Sequence, residues 1–313
     1  MTTALPPAGP DDLVSGPAGS SSVVGRSREV ELLVAALDAG AHVVLEGPPG
    51  TGKTTLLRAV AAEADAPFVF VEGNAELTPA RLVGHFDPAQ VLERGYDPDA
   101  FVDGPLLEAL RTGALLYVEE VNRIPEETLN VLITVMSEGE LHVPRVGRVP
   151  AAEGFRLVAV MNPFDAIGTA RISSAIYDRV CRITMGYQEA VDESAIVELR
   201  APKVDAAWRG KVVELVRRTR SHSDIRVGSS VRGAIDTVRI VDSLARRRGV
   251  EPTVWRVGLD AALVALSGRI RLTESCERSP EDIVRELYEA EFGAEPGPTD
   301  DQDPSGGDAS GGA

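Results

Sequence analysis

Residues Gly47 to Thr54 read GPPGTGKT, the phosphate-binding pattern G-x-x-x-x-G-K-[ST]. The octet lies between an apolar run, His42-Val43-Val44-Leu45, and an alanine-rich helical pattern from Leu56 to Ala64. Strand, glycine turn and helix in that order confine the chain to an α/β arrangement in which a buried strand delivers a loop to a helix N-terminus. Gly47, Gly50 and Gly52 carry no side chain, so backbone N–H groups can turn inward onto phosphate oxygens. Lys53 supplies a mobile cation for the β and γ phosphates, and the Thr54 hydroxyl is placed to ligate magnesium. The nucleotide-binding set is therefore Gly47, Pro48, Pro49, Gly50, Thr51, Gly52, Lys53, Thr54 and Thr55. Lys53 is one of three lysines, with Lys203 and Lys211, against twenty-nine arginines, so its place in the loop is not an accident of composition.

At 313 residues, 43% of them apolar, the chain is long enough for two domains with cores. Cys181 and Cys276 are too few for a disulfide framework and lack metal-ligand spacing, which fits a reducing cytoplasm. No apolar run approaches the roughly 18 residues of a membrane span, and the N-terminus lacks a signal pattern, so a cytoplasmic protein with no membrane insertion is expected. The net charge of −16 argues against non-specific nucleic-acid binding, which needs a basic surface. Residues 294–313 carry five acids and no base, and residues 1–22 are rich in Pro, Gly and Ser. Such compositions predict a disordered N-terminal segment (1–22) and a disordered acidic tail (293–313). The excess of Arg and Lys in residues 205–256 reads mainly as solvated helix faces.

Val43–Leu45, Phe68–Val71, Leu115–Val118 and Leu157–Met161 are short, apolar and bounded by polar or turn residues, as buried parallel strands are. Cys181–Met185 is a fifth candidate. Helical stretches near 27–39, 54–64, 104–112 and 125–138 separate them, which predicts an α/β core with a parallel sheet over residues 23–187. After residue 188 strand signals stop. Helical patterns at 189–200, 207–221, 229–248, 254–271 and 280–291 predict a smaller, all-helical domain over 188–292.

The third strand, Leu115-Leu116-Tyr117-Val118, ends in Glu119-Glu120. Acids at the carboxyl end of a buried strand beside a phosphate loop are where a magnesium shell and a water-activating base are needed. Glu119 is assigned to magnesium and Glu120 to polarising the attacking water. Asn162 follows the next apolar strand, and an uncharged amide there can sense the γ-phosphate or orient the water without competing as a base. Alone, a strand-ending Asn before Pro163 is more often a turn residue, so its reading depends on its company.

Taken together, these motifs resemble the AAA+ ATPases of the MoxR branch. Val24-Gly25-Arg26, AHVVLEGPPGTGKT (41–54) and FVDGPLLEALRTGALLYVEEVNR (101–123) carry the likeness, which spans roughly residues 23–290. The resemblance implies a P-loop AAA+ core followed by a helical lid, with Asn162 as sensor 1. It implies that Arg179, in AIYDRVCRI, acts as a finger on a neighbouring subunit's nucleotide, with Arg171 as the second candidate. GSSVRGA (228–234) is similar to the family's element in which an arginine, here Arg232, is sensor 2. Residues 139–157, with strands expected at Leu141–Val143 and Val146–Pro150, are similar to the pre-sensor 1 hairpin, and residues 82–103 occupy the place of the helix-2 insert. Phe86, Tyr96 and Phe101 of that insert are expected to pack. The family usually ends its strand in Asp-Glu, so Glu119 departs from it, and the longer side chain shifts the carboxylate by about 1.5 Å.

The resemblance implies an ATPase that uses ATP and Mg2+, works as a ring, most simply a hexamer, and matures or remodels a client complex together with a von Willebrand factor A domain partner. Two other classes compete with that reading: a DNA-associated AAA+ motor or loader, and a P-loop small-molecule kinase. The acidic balance weighs against the first. A helical lid, a sensor and a finger exceed what a monomeric kinase requires. No Asn-Lys-x-Asp motif supports a GTPase.

Overall fold

The structure, a computed structural model, describes residues 23–163 and 174–296. The segment expected to be disordered at 1–22, most of the acidic tail and Arg171 lie outside those residues. The chain divides into two compact units between Asp192 and Glu193.

The first unit runs α1 (Ser27–Asp38), β1 (His42–Glu46), α2 (Lys53–Glu63), β2 (Phe68–Glu72), α3 (Pro79–Val83), β3 (Gly84–Phe86), α4 (Pro88–Arg94), β4 (Phe101–Asp103), α5 (Pro105–Thr112) and β5 (Leu115–Glu119). It continues with α6 (Glu126–Glu138), β6 (Glu140–Val143), β7 (Gly147–Pro150), β8 (Arg156–Met161), α7 (Ser174–Tyr177) and β9 (Val180–Thr184). All five expected strands are present and pair in parallel in the order β2-β5-β8-β1-β9. The register sets Leu45 of β1 opposite Val160 of β8 and Ile183 of β9, and Val118 of β5 opposite Ala159 of β8.

Parallel strands need crossovers, and the crossover helices cover both faces, which is why the central strands β1, β5 and β8 are buried along nearly their whole length rather than alternating. Leu115 and Tyr117 face a core with Leu33, Leu56, Leu57 and Val158, whereas Leu116 and Val118 face one with Leu106, Leu110, Leu132 and Leu157. Each fully buried leucine contributes about 1.5–3 kcal/mol. The strand order has a functional consequence. Because β8 lies between β5 and β1, the segments that leave the carboxyl ends of β1, β5 and β8 emerge side by side.

Two antiparallel hairpins interrupt this plan. β6 pairs with β7, with Val146 in the turn rather than in the strand, and Arg145 takes a left-handed φ of 67° there. β3 pairs with β4 inside the insert, a pairing of three-residue strands too short for an alternation to show in sequence. The insert's aromatics pack as expected, Phe86 meeting Tyr96 and Phe101 edge-on at 5.2 and 5.0 Å. The Arg145 guanidinium lies 3.5 Å from the Tyr96 ring centroid, tying the two hairpins together.

The second unit holds most of α8 (Ala190–Arg200), then α9 (Ala206–Arg218), β10 (Ile225–Val227), α10 (Val231–Arg248), α11 (Trp255–Leu266), β11 (Arg271–Leu272) and α12 (Pro280–Phe292). The expectation of an all-helical domain is corrected by β10 and β11, which pair antiparallel. Strands of three and two residues between long helices leave no periodic signal. The helices close over Val212, Leu215, Val238, Val241, Leu266 and Ile283.

Candidate nucleotide site

β1 ends in Glu46, and Gly47 begins the loop where the backbone is most crowded. A Cβ on Gly47 would collide with the Met185 carbonyl oxygen, because Met185 N–H donates to Glu46 O at 2.7 Å just beyond β9. Gly50 and Gly52 are required for a different reason: their φ angles of 76° and 88° lie in the left-handed region. Gly52 also caps α2, so the loop ends on the first N–H groups of a helix, which have no intrahelical acceptors. Pro48 and Pro49 have no N–H, leaving donation to the backbone from Gly50 onward through Thr55.

Lys53 is nearly buried, and its Nζ lies over the loop, donating to Gly47 O at 2.9 Å, Pro48 O at 2.8 Å and Thr51 Oγ1 at 3.5 Å. The loop is pinned from outside by Arg26, 5% exposed, which donates to Thr51 O at 3.0 Å and Gly186 O at 2.6 Å while pairing with Glu29. Sequence reasoning singled out Arg26 only as part of a motif. Its anchoring role links residues 160 positions apart and has no local signature.

Thr54 reaches the end of β5. Its hydroxyl donates to Glu119 Oε1 at 3.1 Å and lies 2.8 Å from the Tyr117 hydroxyl. Burial pushes the Tyr117 phenol well above its ordinary value. Glu119, despite its extra methylene, thus lies beside the threonine with which it was expected to share magnesium. Two hard oxygen donors in contact suit that ion. Among the described residues no cluster of three or more His, Cys, Asp or Glu side chains could hold a metal alone, so magnesium here would take its other ligands from phosphate and water.

Glu120 has φ 51°, an uncommon left-handed conformation for a glutamate, and its carboxylate pairs with Arg123 at 2.9 Å. The turn is held because Gly73 N–H donates to Glu119 O at 2.7 Å, and a Cβ on Gly73 would strike the carbonyls of both glutamates. Asn162 follows β8 directly, between the segments that carry the loop and the two glutamates. The first unit therefore brings together Gly47–Thr55, Glu119, Glu120 and Asn162.

Arg179 is not brought to these residues by its own chain. It follows α7, donating to the Ser137 hydroxyl and, at 2.7 Å, to Ala175 O. Two residues earlier, Tyr177 donates to Glu46 Oε1 at 2.6 Å, and Arg182 Nε donates to Oε2 of the same buried carboxylate at 2.6 Å. Burial and this carboxylate push the Tyr177 phenol up to about 12. A strand-ending glutamate and a tyrosine 131 positions away reveal no such pairing in sequence.

Arg232 lies in the second unit as the second residue of α10. The segment before it is fixed by buried polar groups. Glu193 accepts from Arg220 at 2.7 Å and Arg217 at 3.1 Å, Arg220 Nε donates to Ser229 O at 2.8 Å, and Thr219 Oγ1 accepts from Ser229 N at 2.9 Å.

The chain is similar to several known proteins. The family described as AAA domain (dynein-related subfamily) matches residues 42–180. The gas vesicle ATPase GvpN of Haloferax mediterranei is 31% identical over 67% of this chain and 65% of its own length. GvpN1 of Halobacterium salinarum is 32% identical over 62% of this chain and 60% of its own. The chain thus spans less than two thirds of the length of each of these two relatives. Among solved structures, a point mutant of Thermotoga maritima RuvB superimposes with a TM-score of 0.53 over 79% of this chain and 72% of that one, at 16% identity, a likeness of fold.

Proposed function

We propose that this chain, which belongs to the MoxR-type AAA+ proteins, binds ATP on Gly47–Thr55 and hydrolyses it to ADP and phosphate to remodel or mature a partner complex. The observation that supports this most strongly is the contact of Thr54 with Glu119 at 3.1 Å, which joins the phosphate loop to the acidic strand end. Magnesium, when bound, would neutralise charge on the β and γ phosphates. Lys53 exchanges its loop oxygens for phosphate oxygens. Glu120 leaves Arg123 and takes a proton from the attacking water, while Asn162 orients that water or senses the γ-phosphate. Arg179 is assigned to a neighbouring subunit's nucleotide, which makes a ring, most simply a hexamer, the active form. Arg232 is assigned to the γ-phosphate by its motif alone.

A von Willebrand factor A domain partner and a chaperone-like task follow by family analogy. Two relatives carry names tying them to gas vesicles, which makes a gas-vesicle-linked client the first to test. The net charge of −16 disfavours the DNA-motor alternative.

The test is phosphate release from ATP by the full chain with magnesium and without DNA. Hydrolysis in the wild type, with nucleotide binding but little turnover in Glu120→Gln, supports the reading. Phosphate transfer to a metabolite rather than to water, or a rate that requires DNA, contradicts it.

A further inference from the structure

Tyr117 and Glu119 lie two residues apart on β5, so both side chains face the first turn of α2. Tyr117 is fully buried, its ring held 5.7 Å from that of Phe68 and 5.4 Å from that of Phe70. Its hydroxyl is the only polar part of a side chain otherwise belonging to the core, and it is directed at Thr54, 2.8 Å away. Thr54 has one hydroxyl hydrogen, and Glu119 Oε1, 3.1 Å away, accepts it. With that hydrogen given to Glu119, Tyr117 is assigned as the donor in the Tyr117–Thr54 contact, where either oxygen can donate. Thr54 Oγ1 has two lone pairs, of which Tyr117 occupies one. The second is left for a cation.

We infer that Tyr117 is a positioning residue for the metal in this site: its hydroxyl locks the rotation of the Thr54 hydroxyl, aiming one lone pair at a divalent cation and the proton at Glu119. The same lock serves Glu119. A carboxylate on a longer, more flexible side chain is steadied by a hydroxyl that is itself fixed. This inference rests on the nucleotide reading above.

The experiment uses the full chain and two measurements: Mn2+ binding to the ADP complex, followed by the electron paramagnetic resonance of free Mn2+, and ADP binding in EDTA. For Tyr117→Phe, which keeps the ring and removes only the hydroxyl, the Mn2+ dissociation constant is expected to rise about three- to tenfold. Metal-free ADP affinity should stay within about twofold, since no phosphate contact changes. An unchanged Mn2+ affinity, or an equal loss of metal-free ADP affinity, overturns the inference. A wild type that binds no ADP at all overturns the nucleotide reading instead. If Tyr117→Phe does not fold, 3-fluorotyrosine placed at position 117 gives a second readout. Its fluorine resonance should move when Mg2+ joins the ADP complex and not when ADP alone binds in EDTA; a resonance indifferent to Mg2+ overturns the inference.

Discussion

Glu119 and Glu120 are neighbours in sequence, and the backbone sends their carboxylates apart. Glu119 ends a strand and points at Thr54, whereas the left-handed φ of Glu120 turns its carboxylate towards Arg123. Glu120→Gln keeps the shape and removes the base, so turnover should fall about 10²–10⁴-fold with nucleotide affinity retained, as steady-state kinetics and fluorescent-nucleotide binding would show. His42 makes a separate prediction about stability. Burial, and then the charge of Arg156, lower its pKa from 6.5 to about 4, and its Nδ1 accepts from Leu157 N–H at 3.0 Å. Between those two pH values the unfolded chain binds the proton that the folded chain refuses. The contribution is therefore complete above about pH 6.5 and is lost as pH falls towards 4, by at most about 1.4 kcal/mol per unit, less for a half-buried ring. Urea melts across that window should slope less steeply for His42→Gln than for wild type; equal slopes would remove His42 from the account.

At the scale of elements, the parallel pairing of β1 with β9 and the network around Glu193 carry the most consequence. Gly47→Ala would drive a methyl into the Met185 carbonyl, so it should abolish nucleotide binding and destabilise the first unit by about 1–3 kcal/mol, measured by thermal melting and ADP titration. Arg220→Ala would remove one of the two arginines that pair with the buried Glu193 among the described residues and release Ser229 O, at a cost of about 3 kcal/mol in urea unfolding. The strands, the phosphate loop and the acidic strand end were legible because each is a contiguous pattern whose physics is local. Arg26 on Thr51 and Gly186, Tyr177 on Glu46, and Tyr117 on Thr54 were not, because a polar tip that meets its partner across the fold looks like any other core or surface residue in sequence. Short pairings such as β3 with β4 and β10 with β11 were missed for want of length.

For the whole molecule, the decisive question is whether one chain completes its own site. The phosphate loop, Glu119, Glu120 and Asn162 follow the carboxyl ends of the three central strands, yet Arg179 is engaged by Ser137 and Ala175 of the same chain instead. Completion by a neighbour predicts a specific activity that climbs with protein concentration as rings assemble. The most direct measurement mixes Arg179→Ala with Glu120→Gln and follows ATP hydrolysis per subunit after the chains have exchanged. Each variant alone should be nearly inactive. The mixture should recover up to about a quarter of wild-type activity, because in a random ring one interface in four joins an intact Glu120 to an intact Arg179. Two inactive variants whose mixture recovers nothing would contradict a site shared between subunits.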